Sequence, residues 1–139
     1  MVRKDERAPS ESEWRIMEIL WQSETSLTSA EVIRRMKGTD DPMTPKMIRV
    51  LMNRLTQKRL LGYEVDPADS RVYHYTPLRT RDECLKEKTK NFTDSYFSGN
   101  KTRAATNAIS ALLQSFDLTD EQIEELEEIL RRSREQKKG

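Results

Sequence analysis

Apolar residues along this chain recur mainly three or four positions apart, which is the spacing of amphipathic helices. The clearest case lies between residues 44 and 60, where Thr44 can cap the free backbone N–H groups and Pro45 suits the first helical position. One face of this helix carries an apolar stripe that requires burial, made of Ile48, Leu51, Met52 and Leu55. The opposite arc carries Lys46, Arg49, Val50, Asn53 and Gln57, with Met47 and Arg54 at its edge.

Other segments show equally clear start signals. Ser or Thr followed three residues later by Glu or Gln is the capping-box pattern, and it predicts helices over about residues 11–21, 29–36, 81–97 and 120–134. Apolar periodicity predicts another helix over about 102–116. Residues 63–65 and 71–75 are instead rich in aromatic and β-branched side chains and flank a turn-forming segment, which predicts a β-hairpin.

The order of these elements predicts a mainly α protein with a small β-wing. A helix-turn-helix followed by a hairpin is a winged helix, in which the helix at 44–60 is the recognition helix. We predict a disordered N-terminus over residues 1–9, a winged-helix DNA-binding domain over 10–79 and a three-helix dimerisation domain over 80–139. The stripes of the last three helices bury little within one chain, so we expect them to contact a second chain. The predicted dimer-interface residues are Leu85, Phe92, Tyr96, Ile109, Leu112, Leu113, Ile123, Leu126, Ile129 and Leu130.

The distribution of charge is more informative than the net charge of +1. Residues 42–63 contain no Asp or Glu, although their cationic residues are Lys46, Arg49, Arg54, Lys58 and Arg59. A helix with a core face and an acid-free outer face suits the major groove, where basic groups meet phosphate and Asn and Arg reach base edges. A merely solvated basic helix would look the same, and the neighbouring helices and hairpin favour the DNA-binding interpretation. Arg71, near the hairpin tip, is a candidate for a phosphate or minor-groove contact.

The sequence lacks the residues that several classes of function need. Cys84 is the only cysteine and His74 the only histidine, so the sequence offers no internal disulfide, no Cys-rich or His-based metal site and no His-based catalytic unit. We therefore expect no cofactor and no enzymatic activity. The sequence contains neither an apolar run approaching about 20 residues nor a secretory signal, which predicts a cytoplasmic protein without direct membrane insertion.

In the order of its elements and in several short sequence strings, the chain resembles the penicillinase and methicillin-resistance repressors, a family that includes copper-responsive repressors. The resemblance covers roughly residues 10–132 and rests on several short strings in order: Glu13-Trp14-x-x-Met17, Leu20-Trp21, Thr28-Ser-Ala-Glu-Val32, Thr44-Pro-Lys-x-Ile-Arg-x-Leu-x-x-Arg-Leu55, Arg71-Val-Tyr-x-Tyr-Thr-Pro77 and Ile123-Glu-Glu-Leu126. It implies a bacterial homodimeric winged-helix repressor that binds palindromic operators in double-stranded DNA and silences resistance genes. By similarity the DNA-reading positions are Thr44, Lys46, Met47, Arg49, Asn53 and Arg54, with Arg71 on the wing. Met47 and Val50 replace small hydroxyl residues common there.

Two departures from the family pattern concern regulation. Copper-sensing members carry paired Cys-x-Cys motifs near the C-terminus, which this chain lacks, so we expect no metal regulation. Members that respond to β-lactams are cleaved at an Asn-Phe bond in the dimerisation region under the control of a membrane-bound sensor protease. The only Asn-Phe bond here, Asn91-Phe92, lies on the preceding helix, and the nearest counterparts are Asn107-Ala108 and Ala111-Leu112. Induction by a sensor protease therefore stays open.

Two alternative functions also stay open. One is a winged-helix regulator that responds to a small ligand. The other is a winged helix used as a protein-interaction adaptor, which would be expected to mix charges or expose large apolar groups on its recognition face.

Overall fold

The structure, a computed structural model, describes residues 8–96 and 101–138, apart from the side chains of residues 101 and 102. In these ranges it contains six helices and a two-stranded antiparallel sheet, so the predicted fold class is confirmed. The elements in chain order are α1 (Glu11–Trp21), α2 (Ser29–Met36), α3 (Pro45–Gln57), β1 (Leu61–Val65), β2 (Tyr73–Pro77), α4 (Arg81–Tyr96), α5 (Lys101–Ser115) and α6 (Asp120–Lys138). Residues 1–7 of the predicted disordered N-terminus lie outside the described residues, whereas Ala8 and Pro9 are buried.

The helices begin where the capping residues predicted. In α1 the Ser10 hydroxyl accepts the backbone N–H of Glu13 at 3.3 Å, and the Glu13 carboxylate accepts the N–H of Ser10 at 2.8 Å. The same reciprocal bonds join Thr28 to Glu31 before α2. Helices α4 and α6 begin in the same way at Thr80 with Glu83 and at Thr119 with Gln122. Local hydrogen bonding therefore sets these four helix starts.

Helix α3 is defined at both ends. The Thr44 hydroxyl accepts the N–H of Met47 at 3.2 Å, and Pro45 occupies the first turn. At the other end the Leu60 N–H donates to the Leu55 carbonyl at 2.9 Å, and the Arg59 N–H donates to the Thr56 carbonyl at 3.1 Å. These two bonds form a Schellman motif, which requires a left-handed residue after the cap. Arg59 takes that conformation with φ of 63°.

The hairpin differs from its prediction in where the strands begin and end. The pairing places Leu61 opposite Pro77, Tyr63 opposite Tyr75 and Val65 opposite Tyr73. Arg71 and Val72, predicted to lie in the second strand, belong to the turn instead. The cause is local, because the Asp69 side chain accepts the backbone N–H of Arg71 at 3.0 Å and turns the chain there.

One hydrophobic core joins α1, α2, α3, the wing and the start of α4. The apolar stripe predicted for α3 is entirely buried, and it packs with side chains from the other elements. Leu27, in the connection between α1 and α2, extends the sheet, because its N–H donates to the Tyr75 carbonyl at 3.0 Å and its carbonyl accepts the Tyr75 N–H at 2.8 Å. The buried core residues are Ile16, Met17, Ile19, Leu20, Leu27, Val32, Met36, Ile48, Leu51, Met52, Leu55, Leu60, Leu61 and Cys84.

The chain divides into two compact units, with Asp94 the last residue of the first and Ser95 the first residue of the second. The predicted domain boundary lies earlier, between residues 79 and 80. The first unit extends further because Cys84 of α4 belongs to its core and the Trp21 indole N–H donates to the Arg79 carbonyl at 2.9 Å. The second unit contains α5 and α6. The functional division between DNA binding and dimerisation stays a prediction.

Candidate nucleic-acid interface

The outer face of α3 presents the predicted DNA-reading side chains to solvent. They are all exposed, whereas the four residues of the opposite stripe are buried; the exposed set is Thr44, Lys46, Met47, Arg49, Val50, Asn53 and Arg54. Within the part of the chain that the structure describes, Lys46, Arg49 and Arg54 form no ion pair. Their charges are therefore available to a phosphate or a base edge without first breaking a contact inside the protein.

A buried ion pair fixes the C-terminal end of α3 against the start of α1. The Lys58 ammonium lies 2.6 Å from the Glu13 carboxylate, and Glu13 is only 1% exposed. Burial by itself would raise the pKa of Glu13, but the hydrogen bond and charge of Lys58, together with the Ser10 N–H, hold that pKa below its usual value of 4.5. Glu13 thus caps α1 and also binds the residue that ends the recognition helix.

A second contact holds the loop that leads into α3. The Arg15 guanidinium donates to the Asp41 backbone carbonyl and lies 3.4 Å from the Asp41 carboxylate. It also approaches the Met36 sulfur at 3.8 Å. Glu13 and Arg15 lie two positions apart on α1, so this single helix contacts both the C-terminal cap of α3 and the loop before it. The sequence pattern predicts Glu13 only as part of a capping box, and no local pattern points to a role for Arg15.

The wing carries its predicted basic residue, but with a carboxylate beside it. The Arg71 side chain is 89% exposed, and its Nε lies 3.2 Å from Asp69. The backbone and side chain of Arg71 hold the pKa of Asp69 below its usual value. The Ala68 N–H and the His74 ring do the same to Asp66, whose carboxylate lies 3.4 Å from His74. A phosphate that binds Arg71 must therefore compete with Asp69.

Three tyrosines line one face of the wing. The rings of Tyr63 and Tyr73 stack with centroids 4.5 Å apart and an interplanar angle of 18°. Tyr75 lies at the base of this group, and its burial raises the pKa of its hydroxyl. Tyr63 lies opposite Tyr75 in the pairing and Tyr73 lies two residues from Tyr75 on the same strand, so the three side chains share a face.

The predicted dimer residues are exposed in the single chain with one exception. Leu126 is half-buried, and the other nine are exposed. Residues of α6 reach 64% exposure at Leu130, and none of the residues described in α6 is buried. This row of apolar side chains is unfavourable in water, since burying each is worth roughly 1.5–3 kcal/mol.

Three further features of the described residues concern metal binding, membrane insertion and thiol reactivity. Residues 8–96 and 101–138 contain no group of three or more His, Cys, Asp or Glu placed to hold a metal ion. None of the helices described there is long and apolar enough to cross a bilayer. Cys84 is fully buried, and burial raises the pKa of its thiol, so it is a poor nucleophile.

Comparison with known proteins identifies the family. The sequence profile of the penicillinase repressor family matches residues 9–132, which include every predicted DNA-contacting and dimer residue. The chain belongs to the penicillinase repressor family. As a member of the penicillinase repressor family, it is a DNA-binding transcriptional repressor and not an enzyme.

Solved structures of repressors also resemble the chain. The solution structure of the DNA-binding domain of the repressor BlaI is 28% identical, covers 53% of this chain and 84% of that chain, and has a TM-score of 0.45. The adhesin competence repressor AdcR from Streptococcus pyogenes is 16% identical over 94% of this chain and 81% of that chain, with a TM-score of 0.44. MepR from S. aureus in complex with DNA is 15% identical over 82% of this chain and 85% of that chain, with a TM-score of 0.46. Among curated proteins no match was found.

Proposed function

We propose that the chain represses transcription as a homodimer that reads a two-fold symmetric operator with one α3 helix per protomer. The observation that carries this proposal is the outer face of α3, which is exposed, basic and free of acidic residues. Its apolar stripe is buried, and α1 contacts both its C-terminal cap and the loop before it, so the helix is held in place without DNA. Such preorganisation lowers the ordering cost of binding.

The side chains of this face divide by chemistry. Arg49 and Asn53 have donors and acceptors that match base edges, so we assign them base discrimination. Lys46 and Arg54 lie on the same face and mainly contact phosphate, which gives affinity without sequence information. Met47 and Val50 contribute apolar surface that can contact a thymine methyl group.

Two residues at the edges of this surface are expected to contribute less to DNA binding. Thr44 caps the helix and lies where its hydroxyl can also reach phosphate. Arg71 contacts the DNA backbone from the wing after it releases Asp69, so we expect its contribution to be smaller than that of an unpaired arginine.

The second chain binds through the exposed apolar residues of α4, α5 and α6. Two linked DNA-binding domains gain affinity because binding of the first raises the effective concentration of the second at its half-site, and a single domain lacks this gain. The regulated genes in this proposal are resistance genes of the β-lactamase type, repressed in the cytoplasm. Cleavage within the dimerisation region by a protease under the control of a membrane-bound sensor would separate the two DNA-binding domains and release the operator.

Replacing Arg49 by Ala tests the assignment of α3. Removing a base-reading side chain costs on the order of 1–3 kcal/mol and relaxes preference at one position of each half-site. Replacing Lys46 by Ala should weaken binding to all sequences and lower the salt slope by about one unit for each phosphate that the lysine no longer neutralises. Binding to operators selected from random DNA, measured across a salt series, separates the two effects.

Lys86→Ala is the matched control, because it removes a charge from α4 whose partner, Asp82, lies on the same helix. It should leave both affinity and preference unchanged. If Arg49→Ala behaves like this control, α3 reads DNA with a different face or does not read it at all.

A further inference from the structure

The connection between the wing and α4 is held by contacts on both sides. The Leu78 N–H donates to the Leu60 carbonyl at 2.9 Å, which ties the connection to the end of the recognition helix. Thr80 then caps α4 through its reciprocal bonds with Glu83. One turn further on, Cys84 is fully buried in the core. The first turn of α4 is therefore built into the DNA-binding unit and does not follow a free linker.

Contacts with α1 add a second set of restraints, which we call the α1–α4 junction and define as Trp14, Glu18, Trp21, Arg79 and Arg81. One oxygen of the Glu18 carboxylate accepts both the Trp14 indole N–H and the Arg81 Nε–H, each at 2.9 Å. The Trp21 indole N–H donates to the Arg79 carbonyl at 2.9 Å.

Aromatic contacts complete the junction. The Arg81 guanidinium lies over the Trp14 ring at 5.9 Å, and the Trp14 and Trp21 rings meet edge to face at 5.1 Å with an interplanar angle of 74°. The Arg81 guanidinium therefore meets α1 at both the Glu18 carboxylate and the Trp14 ring, and these contacts restrict the direction of α4 relative to α1. Arg81 lies outside the core, since its side chain is 54% exposed, whereas Trp14 and Trp21 pack against the core.

We propose that the α1–α4 junction sets the spacing between half-sites that the repressor accepts. This inference rests on the proposed homodimeric binding to a two-fold operator. In such a dimer the two recognition helices are connected through α4, and a flexible connection would let them reach half-sites over a range of separations. Contacts that fix the start of α4 against α1 remove one source of this freedom and narrow the range of accepted separations, so Glu18 and Arg81 are positioning residues that contribute to specificity without contacting DNA.

The test uses the full chain and synthetic duplexes that carry two selected half-sites at varied separation. Changing the separation by two base pairs rotates one half-site by roughly 70° about the DNA axis, because a turn holds about 10.5 base pairs. We expect the wild-type chain to lose about tenfold or more in affinity for this change. Arg81→Ala should bind the same altered duplexes within about threefold of the best one, with unchanged affinity for DNA that carries one half-site.

Matched variants separate positioning from general damage. Trp21→Phe removes the hydrogen bond to Arg79 while keeping an aromatic ring in place, and it should broaden the spacing profile in the same direction. Lys86→Ala changes a charge of α4 that does not reach α1, and it should keep the wild-type profile. A structural defect alone would lower the affinity for every duplex and leave the ratios between spacings unchanged.

Two results would overturn the inference while the proposed function stands. One is a wild-type dimer that binds all spacings equally, and the other is an Arg81→Ala dimer that keeps the wild-type ratios. A wild-type chain that does not bind paired half-sites as a dimer would refute the proposed function, and the inference with it.

Discussion

The buried pair of Glu13 and Lys58 offers the sharpest test of how the recognition helix is held. Replacing Lys58 by Met keeps most of the aliphatic stem and removes the ammonium group. The Glu13 carboxylate then stays buried without the cation that lies 2.6 Å away. It keeps the hydrogen bond from the Ser10 N–H, so it is not left wholly without a donor.

The expected destabilisation follows from burial and the remaining contacts. Removing one partner of a buried ion pair costs about 3–5 kcal/mol when the other charge stays buried. The Lys58 side chain retains 23% exposure and Glu13 retains its cap bond, so we expect a cost at or below the lower limit of this range. We expect the unfolding free energy at pH 7 to fall by about 2–3 kcal/mol, which in a domain of roughly 60–100 residues lowers the melting temperature by about 10–20 °C.

The pH dependence of this destabilisation has a definite sign. Because the pKa of Glu13 in the folded protein lies below 4.5, the pair stabilises the fold above that pH, and this contribution disappears as the pH falls through the folded pKa. In Lys58→Met burial is no longer opposed by the lysine, so the pKa of Glu13 rises relative to the wild type. The difference in unfolding free energy between the two proteins should therefore shrink in acid.

Urea unfolding followed by the fluorescence of Trp14 and Trp21 measures these changes. The matched control is Lys46→Met, which removes an exposed lysine from the same helix and should change the unfolding free energy by less than about 0.5 kcal/mol. Glu13→Gln and the double variant complete a cycle that isolates the coupling between the two side chains. Equal midpoints for Lys58→Met and Lys46→Met, or a difference that does not shrink in acid, would show that the Glu13–Lys58 pair does not stabilise the fold.

Two further predictions concern the end of α3 and the dimerisation region. Arg59→Gly should stabilise the fold by about 0.5–1 kcal/mol, because glycine adopts the left-handed conformation without the Cβ penalty; a lower urea midpoint would contradict this. A chain ending at Asp94 should keep its core and sediment as a monomer with much weaker operator binding, whereas a dimer with full affinity would exclude the C-terminal helices as the interface.

Local features of the sequence predicted most of the helices and the recognition face. The capping boxes at Ser10, Thr28, Thr80 and Thr119 depend on residues three positions apart, so their geometry can be read from the chain directly. The buried and exposed faces of α3 follow from the helical repeat of about 3.6 residues, so they can also be read from the chain directly.

Contacts between distant residues were harder to predict. Glu13 and Lys58 are 45 positions apart, and Glu13 already had a local explanation as a cap, so nothing in the pattern pointed to its second partner. The strand-like bridge at Leu27 also depends on where Tyr75 lies after folding.

Two elements begin or end at a different residue than predicted, and each difference has a local cause. The second strand begins later than predicted because Asp69 bonds to the backbone of Arg71, which the aromatic and β-branched composition of 71–75 concealed. Helix α6 continues to Lys138, beyond the predicted end near Arg134, and ion pairs from Arg131 to Glu128 and Glu135 support its last turns.

A footprint of the full chain on an operator selected from random DNA tests whether a dimer reads a two-fold site with one α3 helix per protomer. We expect two protected half-sites related by a two-fold axis, separated by one or more helical turns of about 10 base pairs. In the Arg49→Ala variant, protection of both half-sites should weaken together, since each protomer supplies one recognition helix. Protection of a single unpaired half-site would contradict the dimer, and protection unaffected by Arg49→Ala would contradict reading by α3.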